Sequence, residues 1–451
     1  MGVNLLQKLR HKDHKNLWNR LARNLIYDAK ELLLYCGINV PYRKQNGSLV
    51  DYSEIIHLTT KGTDYGAIYD PHTRRIHFEP GYIQSVVDQA YRFDFPILDR
   101  AFGPGGIAAF IHKSGENDYE LKDPHMKHIL KQALLARDNE MPFSFVCARQ
   151  LGQYEVEQFG VTPNIFNGPK FFNVATESGI QEAESHIKAG HYVITNHTIF
   201  SSPLTLSFKE NIDIFIQCVR RQIPVMLTTQ PFSGQNGPMT PYGIALLALA
   251  EFFAGMAIAF GINPETKVVN GAYPTMCTPG KNPSLKIGSV VHNFTNYLVA
   301  FTSRLLDIAS IQSGCTIEGQ IHKNELLGTD YETVRAMILW DDMFEGWHMI
   351  RHCYGFLNDL AFFSFEKAEN DIAALRHIQS LEDNGIIAVL ANNVRLNRDI
   401  QRAEMIYQDP TLIFQREKDT LLEVIIDTID IFNGDFGNHD HTLKNIPLEW
   451  F

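Results

Sequence analysis

Polar, aromatic and sulfur-bearing side chains gather in a few Gly/Pro-rich stretches of this sequence, and their chemistry is the first thing to weigh. "TTQPFSGQNGPMT" carries Gln230, Phe232, Gly234, Gln235, Asn236, Gly237 and Thr240. "NGAYPTMCTPG" carries Tyr273, "SGCTIEGQIHKN" carries Glu318 and Gln320, and "RHCYG" carries Arg351, His352 and Tyr354. Arg351 or His352 could take a carboxylate, or the two could form a buried hydrogen-bonded pair. The amides and Thr240 either meet a ligand or satisfy the loop's own backbone groups. Tyr273, Phe232 and Tyr354 either face a ligand or pack a rim. Glu318 either polarises its loop or is a solvated carboxylate. Four thiols, Cys147, Cys277, Cys315 and Cys353, lie in the same region, the last beside His352, and Cys with His is a zinc donor set. No pair is spaced C-x-x-C, so small buried hydrophobes are the reading set against zinc, and no tightly bound metal is expected. "GPGG" lacks the Gly-Lys-Ser/Thr ending of a phosphate loop.

These stretches follow β-rich runs. "FSFVCAR", "KFFNVAT", "HYVITNHT", "PVMLTTQ", "KVVNGAY", "ASIQSGC", "HMIRHCYG" and "LAFFSF" alternate with helical segments. Strand–helix alternation of this kind implies βαβ crossovers and a parallel sheet. Eight strands in one series favour a (β/α)8 TIM barrel over an open doubly wound sheet, and in a barrel the post-strand loops hold the site. Residues 1–100 read as an N-terminal helical extension interrupted by a hairpin turning at "DPHT", and residues 101–451 as the barrel with C-terminal helices. "FGPGGIAAFIHKSGENDYEL" reads as a loop and a further hairpin.

Only Glu251 is charged between Ile244 and Ile262. That run is long enough to span a bilayer, yet a mid-bilayer Glu costs about 2.5–3.5 kcal/mol. Neither flank carries a Lys/Arg cluster, so a buried helix is expected, with Glu251 structural and Gly255 allowing a close contact. Gly237 is expected to line a ligand-facing loop. On that footing Gly237→Leu should abolish activity at little cost in stability, and Gly255→Leu should overpack the core. A net charge of -11 argues against nucleic acid as the main partner. The basic run "KLRHKDHKNLWNRLARN" fits the solvated face of a helix. No apolar region follows it to make a secretory signal, and six scattered Cys suit reduced thiols, so a cytoplasmic protein is expected.

The order "SSPL", "PVMLTTQPFSGQNGPMTPYG", "AEFFAGMAIAFGINP" resembles the trimethylamine methyltransferase (MttB-like) family, and "FGPGGIAAF" resembles its Gly-Gly hairpin. "SGCTIEGQ" and "GTDYE" stand where its post-sixth-strand segment lies, with "CTIEGQIHKN" in place of the usual Asp-rich sequence. The resemblance implies a TIM barrel that moves a methyl group from a methylated amine to the Co(I) of a corrinoid (cobalamin) carried by a partner protein. This chain has only standard residues where founding members carry pyrrolysine, so it looks like the non-pyrrolysine branch, some of whose members demethylate glycine betaine. A quaternary ammonium expels a neutral amine, so in-line positioning is the main need, and aromatic faces would hold the cation. On this reading Glu318 and Gln320 are the catalytic candidates, and Gln230, Phe232, Tyr273, Arg351, His352 and Tyr354 bind substrate. Gly234, Gln235, Asn236, Gly237 and Thr240 would face the corrin. The expected partners are a corrinoid protein, a methylated small molecule and further copies of the chain. Two alternatives stay open: a zinc-dependent methyltransferase acting on a methyl ether or thioether, and a non-catalytic small-molecule binding barrel.

Overall fold

The computed structural model describes residues 2–383 except 43, 46–47, 62–65, 91–100, 103–109, 114–118, 123–125, 142–143, 147–164, 167, 239, 278–286, 288–289, 314–320, 323–324, 327–347, 358–359 and 361. Short, strand-favouring runs form β1 (Ala101–Phe102), β2 (Ser144–Val146), β3 (Lys170–Phe172), β4 (Val193–His197), β5 (Val225–Leu227), β6 (Val268–Asn270), β7 (Ile311–Ser313) and β8 (Met349–Arg351). All of their pairings are parallel. Lys170 opposes Ser144 and Val193, Thr195 opposes Val225, and Val225 opposes Val268. Ile311 opposes Met349, which opposes Ala101. An isolated bridge from Asn270 to Ser310 joins the two sheets, with the Asn270 N–H donating to the Ala309 carbonyl at 2.8 Å.

The side-by-side order is therefore β2-β3-β4-β5-β6-β7-β8-β1. The fold is mixed α/β with parallel sheets, as the alternation predicts. Two details differ from the expectation. Among the described residues no pairing joins β1 to β2, so the described strands form an open series. The strand beside β8 is Ala101–Phe102, not "LAFFSF". Phe362–Phe363 instead turns antiparallel onto Phe356–Leu357 and meets the hairpin of Phe110–Lys113 and Tyr119–Lys122. A two-residue strand leaves no periodicity to read, which is why β1 was missed.

The helices are α1 (Gly2–Tyr35), α2 (Ser53–Thr60), α3 (Pro80–Gln89), α4 (Met126–Asp138), α5 (Glu177–Lys188), α6 (Lys209–Arg220), α7 (Pro241–Ile262), α8 (Val290–Leu305) and α9 (Phe365–Asp383). Helix α7 answers the membrane question. It is apolar on every side because it is enclosed, with α1, α2, α3, α6 and α8 around it and β5 behind it. Its most apolar window is wholly buried inside the protein. Gly255 allows the close contact there: a Cβ would stand tight, 3.0 Å from Leu227 Cδ1 and 3.3 Å from Phe200. Glu251 is fully buried and anchors the "SSPL" segment. It accepts from the Ser202 hydroxyl and the Leu204 N–H, each at 2.8 Å. Desolvation raises its pKa to about 7.

Among the described residues up to 90, short strands stand between the helices in addition to the expected hairpin. Ala67–Asp70 and Arg75–Phe78 form the expected hairpin. Asp70 shapes its turn by accepting from the His72 N–H and the Thr73 hydroxyl, both at 2.8 Å. Ile38–Asn39 lies between that hairpin and Thr205–Leu206, so one sheet mixes strands from the N-terminal segment and from the β4–α6 connection. Gly37 has φ of +60°, and a Cβ would sit 2.6 Å from the Ile76 carbonyl oxygen, so the residue that stops α1 must be glycine.

Candidate functional site

Side chains two apart on a strand point to the same face. Phe171, Ile194, Met226, Val269, Ala309, Ile311 and Met349 form an apolar cluster of their own, separate from the main core that packs under the helices. They mark the inner face of β3 to β8. Two residues farther along each strand, on that same face, come Asn173, Asn196, Thr228, Gly271, Ser313 and Arg351. An apolar floor thus gives way to a polar layer at the carboxyl ends of the strands, where ligands bind in parallel α/β folds.

Hydrogen bonds and close contacts link the residues of that layer. The Asn196 amide donates to Asn173 Oδ1 at 2.6 Å, and the Thr228 hydroxyl donates to Asn196 Oδ1. Thr228 then abuts Gly271, where a Cβ would lie 3.0 Å from Thr228 Oγ1 and 2.6 Å from Met226 Cγ. The Gly271 carbonyl accepts from the buried Arg351 guanidinium. The guanidinium lies over the Tyr273 ring, 4.2 Å from its centroid. His352 follows, its ring 5.7 Å from Tyr273 and 5.2 Å from Phe356. Its Nδ1 is 2.9 Å from the Ser313 hydroxyl.

The electrostatics there centre on Arg351 and two buried histidines. Burial first, then the charges of Arg351 and His292, hold the His352 pKa well below its ordinary value. Burial lowers the pKa of His292 to about 3. Both imidazoles are therefore neutral at pH 7, and among the described residues of this layer Arg351 carries the positive charge. His352 also has φ of +65°, a left-handed conformation that is uncommon outside glycine and concentrates at functional sites.

The "TTQPFSG" stretch is less a free loop than an extension of two strands. Carbonyls of Leu227, Thr229 and Pro231 accept from the N–H groups of Gly271, Tyr273 and Thr275, each at 2.9 Å, so β5 and β6 rise together past their ends. Gln230 continues the inward alternation of Met226 and Thr228 and is half-buried. Beyond it the chain turns back on itself. Phe232 N–H donates to Asn236 Oδ1 at 2.6 Å, Gly234 N–H donates to the Gly237 carbonyl at 2.9 Å, and Gly234 has φ of +69°. Gln235 Nε2 donates to Cys277 Sγ at 3.7 Å.

The structure thus brings Tyr273, Arg351 and His352 into contact, with Gln230 on the same face. Phe232, Gly234, Gln235 and Asn236 share one turn at the rim. Thr240 caps α7, its hydroxyl accepting from Gly243 N–H at 3.1 Å. Gly237 turns its open side to the same helix, where a Cβ would meet Ile244 Cδ1 at 2.4 Å. The expectation that Gly237→Leu leaves stability nearly unchanged is therefore corrected: the position is packed. Tyr354 belongs to the main core, away from the inner cluster, and burial pushes its hydroxyl pKa well above the usual value. Glu318, Gln320, Cys147 and Cys315 lie outside the described residues. Cys353 donates to the Ile350 carbonyl at 3.1 Å. Among the described residues no three His, Cys, Asp or Glu side chains are grouped as metal ligands. Asn173, Asn196, Thr228 and Ser313 escaped the sequence reading. The available signal was a polar residue two places after an inward apolar one on successive strands.

Residues 176–396 match the family model of trimethylamine methyltransferase (MTTB). The matched region holds β4 to β8 and every described candidate named above except Asn173. The match is to a methyltransferase family, in agreement with the resemblance carried by the motifs. No curated protein matches the chain. Among solved structures, 7,8-dihydropteroate synthase from Vibrio fischeri is 11% identical, covering 63% of this chain and 94% of that one, with a TM-score of 0.35. N-acetylneuraminate lyase from Mycoplasma synoviae is 11% identical over 78% of this chain and 93% of that one, with a TM-score of 0.34.

Proposed function

We propose that the protein is a methyltransferase of the trimethylamine methyltransferase type. In this reading it moves a methyl group from a betaine-like quaternary amine to the Co(I) of a corrinoid carried by a partner protein. The eight parallel strands are read as a (β/α)8 barrel whose mouth is the polar layer. The observation that carries the betaine assignment is the buried Arg351 guanidinium at the strand ends, fixed over Tyr273 and held by the Gly271 carbonyl. A fixed guanidinium is suited to a carboxylate, and neutral His352 and His292 add no competing charge.

The arrangement also limits where the ammonium end can sit. Arg351 covers one face of Tyr273, so that face cannot also hold a cation. Phe232, half-buried on the same extension of β5 and β6, where it bridges to Thr275, is a described aromatic that could. In the transfer the carbon–nitrogen bond breaks, nitrogen keeps the electron pair as a neutral tertiary amine, and the methyl passes to the acceptor metal. No proton is needed at nitrogen, so the chain's own task is to hold the donor in line. Gly234 and Gln235 are exposed and Asn236 is half-buried, which suits a rim met by the corrin-bearing partner. Gly237 and Thr240 would support that rim rather than touch it. Glu318 and Gln320 remain the catalytic candidates. Incubation with a Co(I) corrinoid and a panel of betaines and methylamines tests the reading. The spectrum of the methylated corrinoid is expected with a carboxylate-bearing donor, and its absence with every donor would refute the reading.

A further inference from the structure

The hydrogen-bonded line Asn173–Asn196–Thr228 and the Arg351–Tyr273 pair lie on one face and meet at Gly271. Thr228 Oγ1 lies against the α-carbon side of Gly271, and Arg351 bonds to the carbonyl of the same residue. Glycine is required for that meeting, since a Cβ would collide with Met226 and crowd Thr228. The result is one continuous arc across β3, β4, β5, β6 and β8, charged at one end and uncharged at the other. The uncharged end keeps unused capacity. Asn196 is half-buried and spends one amide N–H on Asn173, leaving the second, and the Thr228 oxygen retains its acceptor lone pairs. An apolar donor portion would leave these groups without partners in a partly desolvated layer, which a site built to bind only trimethylammonium and carboxylate does not need.

We propose that this arc is a two-part recognition surface: Arg351 takes the carboxylate, and Asn196 with Thr228 takes an uncharged hydroxyl or carbonyl on the same methyl donor. This rests on the betaine reading of Arg351 and extends it to a specificity. A hydrogen-bonding site rejects the analogue lacking the group because its own polar atoms are then stranded.

Calorimetric titration of the full chain with carnitine and with its deoxy counterpart, a matched pair differing by one hydroxyl, tests the arc. Carnitine should bind about tenfold more tightly, the worth of one hydrogen bond in such a layer. In Thr228→Val, a near-isosteric change, and separately in Asn196→Ala, the ratio of the two affinities should fall towards one. Equal affinities in the parent protein overturn the proposal, as does a preference that survives both substitutions. Methyl transfer from deoxycarnitine with no hydroxyl preference would sink the arc while leaving the betaine reading intact. Hydroxyl-selective binding without any methyl transfer would do the reverse, and binding of neither compound would overturn the arc, while the wider donor panel decides the betaine reading.

Discussion

At Arg351 one side chain bears on both the charge of the site and the availability of Tyr273. Lysine would keep the charge but lose the planar stack and the fork of donors. Arg351→Lys is therefore expected to raise KM for a carboxylate-bearing donor by about tenfold or more with a smaller change in kcat. The KM of choline, which has no carboxylate, should stay as it was. Steady-state kinetics with the two donors checks this, and an equal rise for both would show that Arg351 acts only through packing. Gly271 makes a second case. Gly271→Ala puts a Cβ 2.6 Å from Met226 Cγ. It should cost about 1–3 kcal/mol by urea denaturation, as overpacked core positions do.

Helix α7 and the turn that precedes it behave as one packed element. Gly237→Leu and Gly255→Leu should both overpack, the first against Ile244 and Leu247, the second against Leu227, Phe200 and Ile199. Each should lower stability by about 1–3 kcal/mol or more, so loss of activity in Gly237→Leu alone would not mark the loop as the site. Glu251, in the same helix, makes stability depend on pH. Its folded pKa of about 7 lies above the ordinary 4.5, so the folded state binds a proton that the unfolded chain gives up. Its stabilising contribution is complete below 4.5 and is lost as pH rises through about 7. The buried histidines oppose this leg: His197 and His292, lowered to about 3, and His352, held well below its usual value by burial, favour folding above 6.5 and lose that contribution on acidification. Glu251→Gln isolates the carboxyl. The difference in stability between variant and parent should shift in favour of the variant as pH rises from about 4.5 to 7, measured by denaturant midpoints. A difference that does not change with pH would mean that Glu251 does not titrate there.

Across the whole molecule, the N-terminal segment works as part of the structure that encloses α7. Trp18 packs edge-on to Tyr297 at 5.1 Å between ring centroids and also meets Phe301, both on α8. Tyr242 donates to Asp28 Oδ2 at 2.8 Å, linking α7 to α1. Trp18→Ala should therefore cost about 3–5 kcal/mol, and the loss should appear in the transition of the whole chain by calorimetry. A small early transition with the main one unshifted would show that α1 unfolds by itself.

Much of this was legible in the sequence because it rests on local physics. Strand–helix alternation predicts the parallel sheets, the "DPHT" turn predicts its hairpin, and a lone Glu251 in an apolar run predicts a buried helix. Residue types in post-strand stretches brought Tyr273, Arg351 and His352 forward together. Tertiary structure decided what depends on contacts between distant segments. Phe102 pairs with Ile350 across most of the chain, which no window of neighbouring residues can reveal. Gly237 looked like a ligand-facing glycine until Ile244 was seen against it. Asn173, Asn196 and Thr228 are unremarkable singly and become an arc only when β3, β4 and β5 lie side by side. Tyr273 was read as a surface for a cation, yet the guanidinium that occupies its face comes from a strand whose approach only the folded chain defines.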